Sequence, residues 1–156
     1  MSIGAAVISR WNATSLNSTV AALFPSSGSP LQVLDQESSS TAGESGSPAE
    51  QPLPRARVVI PSPQKAGMSA AGQMWRQIFF IYVFCDTRAT AVTHRKNIRA
   101  AFENSHRAAA NPFVIAGCEV SELNLDVFQE SVRRHDLSFT ELCFSTLYSE
   151  TRILHS

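Results

Sequence analysis

From Met74 to Cys85 the chain reads MWRQIFFIYVFC, and from Ile78 onward every residue is apolar or aromatic. Alternation divides this run into two faces. Trp75, Phe79, Ile81, Val83 and Cys85 fall on one; Met74, Ile78, Phe80, Tyr82 and Phe84 fall on the other. Both faces are apolar, which predicts a strand covered on both sides at its centre. Asp86-Thr87 then supplies a helix cap. Ala91, His94, Ile98, Ala101 and Phe102 follow at spacings of three and four, the stripe of an amphipathic helix. This strand–helix unit sets the fold class.

The flanking segments add weaker signals. Ile3 to Phe24 carries two apolar clusters, Val7, Ile8 and Trp11, then Leu16, Val20, Leu23 and Phe24. Asn12 to Ser15 between them is poor helix material. The pattern predicts a first helix, a break, and a second helix over Ser15–Phe24 ended by Pro25. Pro25 to Pro54 is rich in Ser, Gly, Pro, Glu and Gln, with no large apolar residue between Gln36 and Gln51. Such a stretch cannot offset its ordering entropy by burial, so a long mobile loop is expected over 25–54, with a short strand at Leu31–Leu34. Arg55–Ile60 reads as a strand, Gln64–Gly72 as a second flexible loop, and Phe113–Leu125 as a strand with a bulge or bend at Gly117. Asp126–Asp136 reads as a charged connection, Leu137–Tyr148 as the last strand, and 149–156 as a tail. In the last strand Leu142, Phe144, Thr146 and Tyr148 share a face. The expectation is a single α+β domain over 1–156. It has a mostly antiparallel sheet of three to five strands, with two to three helices packed on it and a long Ser/Pro-rich loop.

With 156 residues and zero formal net charge, the chain is long enough for a sizeable core and lacks a global bias toward nucleic acid. The charge is unevenly placed. Asp86 to Arg107 sums to +3, and Glu119 to Ser156 sums to −4. This is either two solvated faces or a bipolar protomer whose basic face meets a neighbour's acidic face. The three cysteines, Cys85, Cys118 and Cys143, lie in apolar or alternating segments without CxxC spacing, and read as buried reduced thiols. The N-terminus lacks the pattern of a signal peptide, and Ile78–Cys85 falls short of the about 20 residues a membrane span needs. A protein without membrane association is expected.

Catalytic patterns are missing. There is no GxSxG, HExxH, GxGxxG or Walker A sequence. His94 reads as a core or boundary histidine. His106, His135 and His155 are scattered, and His135-Asp136 would point to opposite faces of a strand. By the same rule Glu119 and Glu122, an odd number apart, should face opposite ways and make a poor carboxylate pair. Arg88, Arg95, Lys96 and Arg99 are the basic cluster. With spacings of seven and four, Arg88, Arg95 and Arg99 lie near one helix face. They are the candidate interface or DNA-lumen residues. No aromatics interleave with them for base stacking. The chain is therefore not expected to be an enzyme, and no metal or other cofactor is implied.

The layout itself resembles a known group. A helix bears Ser9-Arg-Trp-Asn12; a second closes on Ala22-Leu-Phe-Pro25; a strand opens Met74-Trp-Arg-Gln77 and ends Cys85-Asp-Thr87; a helix ends Ile98-Arg-Ala-Ala-Phe102; an alternating strand follows. This resembles the tail-terminator or tail-completion proteins of tailed bacteriophages, the minor tail proteins of the head–tail joint. The resemblance implies an α+β fold and a homo-oligomeric ring, commonly hexameric. Such a ring caps the tail tube and joins it to the neck and connector proteins, with DNA passing through its lumen without sequence recognition. It places the protein in the virion, at the tail–neck region, after synthesis in the host cytoplasm. It carries over no catalytic residue. The Ser-rich stretch 25–54 departs from the family's pattern in length. Alternatives are another neck or head-completion component, a small enzyme or ligand-binding domain, and a nucleic-acid-binding module that uses the Arg88–Arg99 face.

Overall fold

A computed structural model describes residues 3–23, 53–69, 72–134 and 137–150. The expected strand at Leu31–Leu34, almost all of the 25–54 stretch, and residues 151–156 lie outside these. The elements are α1 (Ile3–Asn12), α2 (Leu16–Thr19), β1 (Ala21–Leu23), β2 (Arg55–Val59), β3 (Gln64–Ser69), β4 (Gly72–Cys85), α3 (Arg88–Phe102), a 3₁₀ turn (Ser105–Arg107), β5 (Cys118–Arg134) and β6 (Leu137–Glu150). Among the described residues the sheet proper has five strands in the order β1-β2-β4-β6-β5, and β3 pairs with the other end of β4. All pairings except β1–β2 are antiparallel. The α+β class and the mostly antiparallel sheet are as the sequence predicts. The three long strands are neighbours, with β6 in the middle.

The predicted strand over Met74–Cys85 and the helix after it are both present. Thr87 caps α3, its side chain accepting from the Thr90 N–H at 3.2 Å. Ala91, Ile98, Ala101 and Phe102 are the helix's buried stripe. They meet the inner sheet face, where Phe79, Ile81 and Val83 of β4 and Leu142, Phe144 and Thr146 of β6 are fully buried. The centre is aromatic. Phe79 stacks on Phe144 at 5.2 Å and on Phe113 at 6.4 Å, and meets Phe102 edge-on at 5.8 Å. Trp11 of α1 reaches Phe102 at 6.4 Å, so α1 and α3 close over one core. Burying rings of this size dominates core energetics.

Five segments differ from the sequence expectation. The helix over Ser15–Phe24 is a single turn. At Val20 the backbone is extended (φ −134°, ψ 120°), and Ala21–Leu23 runs parallel to Arg55–Arg57 as β1. Ser18 and Thr19 turn their hydroxyls onto the Ser15 carbonyl (3.1 and 2.9 Å), a local competition that weakens helix propagation. One turn already buries both Leu16 and Val20, so the apolar spacing is satisfied without more helix.

The expected loop over Gln64–Gly72 is instead β3 and its turn into β4. Its glycines mark a sheet irregularity and a close approach. Gly67 sits at the register shift after Lys65. At Gly72 a Cβ would lie 2.9 Å from the Glu150 carbonyl oxygen of the neighbouring strand.

The strand expected to begin at Phe113 begins at Cys118. Phe113 and Ile115 are buried from irregular backbone, because the core takes their side chains without a ladder. A turn at Gly117, with the Cys118 N–H on the Ile115 carbonyl at 3.0 Å, precedes β5.

Asp126–Asp136 is not a connection up to Arg134; it is the second half of β5, paired with Leu137–Phe139 and beyond. Register shifts at Val120/Glu122, Leu125/Val127 and Gln129/Val132 break the period of two, which hid this strand. At the other end, Ser149 and Glu150 still belong to β6.

Candidate functional site

Arg88, Arg95, Lys96 and Arg99 all lie on α3, as expected. Arg88, Lys96 and Arg99 are exposed and Arg95 is half-buried. The Arg88, Arg95, Arg99 row occupies one flank of the helix. Glu103 extends that row by one turn: one carboxylate oxygen pairs with Arg99 Nε at 2.9 Å, and the other accepts the Leu125 N–H of β5 at 3.2 Å. The next residue, Asn104, donates its own N–H to the Leu123 carbonyl at 2.9 Å. The basic flank of α3 therefore turns toward the edge strand. An exposed pair such as Arg99–Glu103 contributes little by itself. Farther round, Ala89, Thr93, Lys96 and Ala100 form the outward ridge of α3, at spacings of four, three and four, and all are exposed.

The opposite face of the sheet is a second surface. Cross-strand register assigns it row by row. Tyr82 lies between Arg57 and Glu141, Phe80 between Val59 and Cys143, Ile78 beside Ser145, and Leu147 between Arg76 and Glu122. Phe80 and Tyr82 stack at 6.0 Å. Ile78, Phe80, Tyr82, Cys143 and Leu147 are half-buried. Toward β2 this face is closed: Phe84 and Arg57 are buried, and the Arg55 guanidinium lies 5.6 Å from the Phe84 ring centre. Burial lowers the pKa of both arginines from the ordinary guanidinium value.

Glu119 and Glu122 do not face opposite ways. The shift between Val120 and Glu122 places them against Ser149 and Leu147, which share the outer face. Glu122 accepts from Asn124 Nδ2 at 2.8 Å on that same face. Its main-chain carbonyl, displaced by the shift, accepts the buried Thr146 hydroxyl at 2.8 Å. Asp126 is the extra residue of the next shift. Burial first, then Asp126 and Glu141, pushes the Cys143 thiol above its ordinary range. The outer face of β5 and β6 thus gathers Glu119, Glu122 and Glu141, with Asp126 at the adjoining bulge. Strict alternation missed this group, and only the bulges reveal it.

The remaining sequence candidates do not converge. His94 is half-buried on α3, its buried Nδ1 lacking a hydrogen-bond partner among the described residues. Burial lowers its pKa. Cys85 is buried, Cys118 and Cys143 are half-buried, and all three are free thiols. Among the described residues, no group of three or more His, Cys, Asp or Glu is placed to hold a metal ion. No described helix is long and apolar enough to cross a membrane.

No protein-family model and no curated protein matches the chain. Its fold is similar to that of a chain in a solved structure titled as the virion of a native gene transfer agent particle. The TM-score is 0.58 at 16% sequence identity, over 94% of this chain and 93% of that one. Likeness at that identity establishes a shared fold, extending over nearly the whole length of both chains.

Proposed function

We propose that this protein is a structural virion subunit of a phage-like particle, a ring-forming tail terminator or tail-completion protein that caps the tail tube and joins it to the neck. The observation that carries this reading is the near full-length fold likeness to a chain of a gene transfer agent virion. A domain that shares a fold end to end, without large additions on either side, suits the same kind of architectural task. The element order that resembles tail-terminator proteins narrows the task to the tail–neck joint. The protein's work is then assembly rather than catalysis. Its partners are further copies of itself, the tail tube protein and the neck or connector proteins. DNA passes the ring through electrostatic contact alone, with Arg88, Arg95, Lys96 and Arg99 as candidate interface or lumen groups.

Native mass spectrometry and negative-stain imaging of the full chain test this reading. A closed ring is expected, as heterologous contacts that close by rotation give, with about six protomers, the size the tail-terminator resemblance implies. A protein that stays monomeric at all concentrations, even with tail tubes present, overturns it. Labelling within particles separates the terminator role, at the tube end, from a head-completion role.

A further inference from the structure

We propose that the outer face of the sheet receives the α3 ridge of a second copy of this chain, in a head-to-tail contact. This contact rests on the assembly role above and assigns the surfaces that role would use. α1, α2 and α3 all contribute to the core on the inner face, so none of them covers the outer one. At the centre of that outer face the stacked Phe80 and Tyr82, with Ile78, Cys143 and Leu147, form a half-buried apolar strip. Glu119, Glu122 and Glu141 border it on the β5 and β6 side, with Asp126 at the bulge between Leu125 and Val127. An apolar centre with a charged border is the usual anatomy of a specific protein interface.

The α3 surface is its complement in shape and charge. The outward ridge has the small side chains of Ala89, Thr93 and Ala100, which let a helix approach a flat aromatic surface closely. Thr93 Oγ already bonds the Ala89 carbonyl at 3.1 Å, so burying it strands no hydroxyl. Lys96 stands within the ridge, and Arg88, Arg95 and Arg99 flank it.

Symmetry selects the arrangement. A two-fold contact of the outer face with itself offers its carboxylates only Arg76 as an exposed cation among the described side chains, since Arg57 is buried, and one of α3 with itself sets bases against bases. Opposite charges meet when the helix side of one copy docks on the sheet side of the next. The two surfaces lie on opposite sides of the sheet, so every copy can offer both at once. The edges of β3 and of the middle of β5 are poorer candidates: β3 carries a bulge and Lys65, common protections of an edge, and β5 is capped at Leu123 and Leu125 by Asn104 and Glu103.

Charge reversal tests the contact. One full-length variant carries Arg88→Glu and Lys96→Glu; the other carries Glu119→Lys and Glu141→Lys. Each alone is expected to lose at least tenfold in self-association by sedimentation velocity. An equimolar mixture restores assembly, because each variant's altered surface then meets the other's. A chain with all four changes assembles by itself. Ala100→Trp, which adds bulk on an exposed ridge without disturbing the core, serves as an independent probe and is expected to block assembly. Assembly of either reversal variant or of Ala100→Trp at wild-type strength overturns the contact. So does failure of both the mixture and the four-change chain. If the wild-type chain forms rings that ignore these changes, the contact falls and the structural role stands. If it neither self-associates nor joins tail tubes, both fall.

Discussion

The Arg10 guanidinium at the end of α1 grips the Ala101 carbonyl of α3, Nε to oxygen at 2.6 Å, across 91 positions of sequence. Nη1 of the same group reaches the Asn111 carbonyl at 2.6 Å. One side chain thus ties the end of α1 to the last turn of α3 and to the bend where Asn111 takes a left-handed conformation (φ 48°). A cation at a helix C-terminus also meets the favourable end of its dipole. Arg10→Ala should lower stability by about 1–3 kcal/mol, the usual range for charge-assisted hydrogen bonds. Arg10→Lys, which lacks the fork, should recover only part of it. Urea unfolding reads this as a lower midpoint at unchanged m. Equal midpoints for wild type and Arg10→Ala would mean that the tie contributes nothing to stability.

Gln77 is a polar residue on the buried face of β4, and its partners explain it. Its Nε2 donates to the Pro61 carbonyl, and its Oε1 accepts the Tyr148 hydroxyl at 3.3 Å. It holds the proline break between β2 and β3 against the sheet. A double-mutant cycle of Gln77→Leu and Tyr148→Phe should show a coupling of about 0.5–2 kcal/mol. Strictly additive losses would mean that the two groups act independently.

How much of this was legible in the sequence depends on where periodicity survives. Met74 to Phe102 was readable because β4 and α3 keep clean periods of two and 3.6. Leu142 to Tyr148 was readable for the same reason. The second half of β5 was not, since three register shifts scramble alternation there, and the same shifts concealed the carboxylate group of Glu119, Glu122, Asp126 and Glu141. β1 was missed because its partner, β2, lies more than thirty positions away, from Ala21 to Arg55, and β3 because its residues carry no apolar alternation, although it pairs with the adjacent β4. Three residues after a helical turn, or a short segment such as Gln64–Met68 that is exposed throughout and holds a glycine, carry no strand signal by themselves. Arg88, Arg95, Lys96 and Arg99 were legible as a helix face, whereas the surface proposed to receive them was not.

Alkaline pH should weaken the fold. Burial, opposed by a bond from Thr90 and aided by Asp86, lifts the Cys85 thiol from 9.0 to about 11. Burial and nearby negative groups lift Tyr82 and Tyr148 from 10.0 to about 12. Above pH 9 the unfolded chain therefore gives up protons that the folded chain retains. Stability is full below that pH and declines as pH rises toward 11 and 12. Cys85 alone accounts for on the order of 2–3 kcal/mol. Thermal melts should be flat near neutrality and fall above pH 9, with a shallower fall between pH 9 and 11 in Cys85→Ala. An identical slope in that variant would assign the effect elsewhere.

Gly72 is held by a close approach. Its φ is +138°, and the Glu150 carbonyl oxygen lies 2.9 Å from where an alanine methyl carbon would sit. Alanine there must strain its backbone and push β6 away. Gly67 has a similar φ of +120° but open space around it. Gly72→Ala should therefore cost more than Gly67→Ala, by about 1–3 kcal/mol, the usual cost of forcing a group into filled space. Comparing the two melts isolates the steric part, because both variants share the conformational one.

Glu103 serves two partners, and they can be separated. Arg99→Ala removes an exposed ion pair and should cost less than about 1 kcal/mol, falling further with salt. Glu103→Ala also removes the acceptor of the Leu125 N–H on the edge strand, where the backbone has shifted register. Leaving that donor without a partner costs about 1–3 kcal/mol more. Glu103→Gln keeps an oxygen for the amide while losing the charge, so it should resemble Arg99→Ala. Hydrogen exchange at the Leu125 amide distinguishes these cases. Protection should persist in Arg99→Ala and Glu103→Gln and drop sharply in Glu103→Ala. Loss of protection in Arg99→Ala would mean that the ion pair, rather than the carboxylate alone, holds the cap. The basic flank of α3 would then be fixed to β5 through Arg99 and would have less freedom to meet a neighbour.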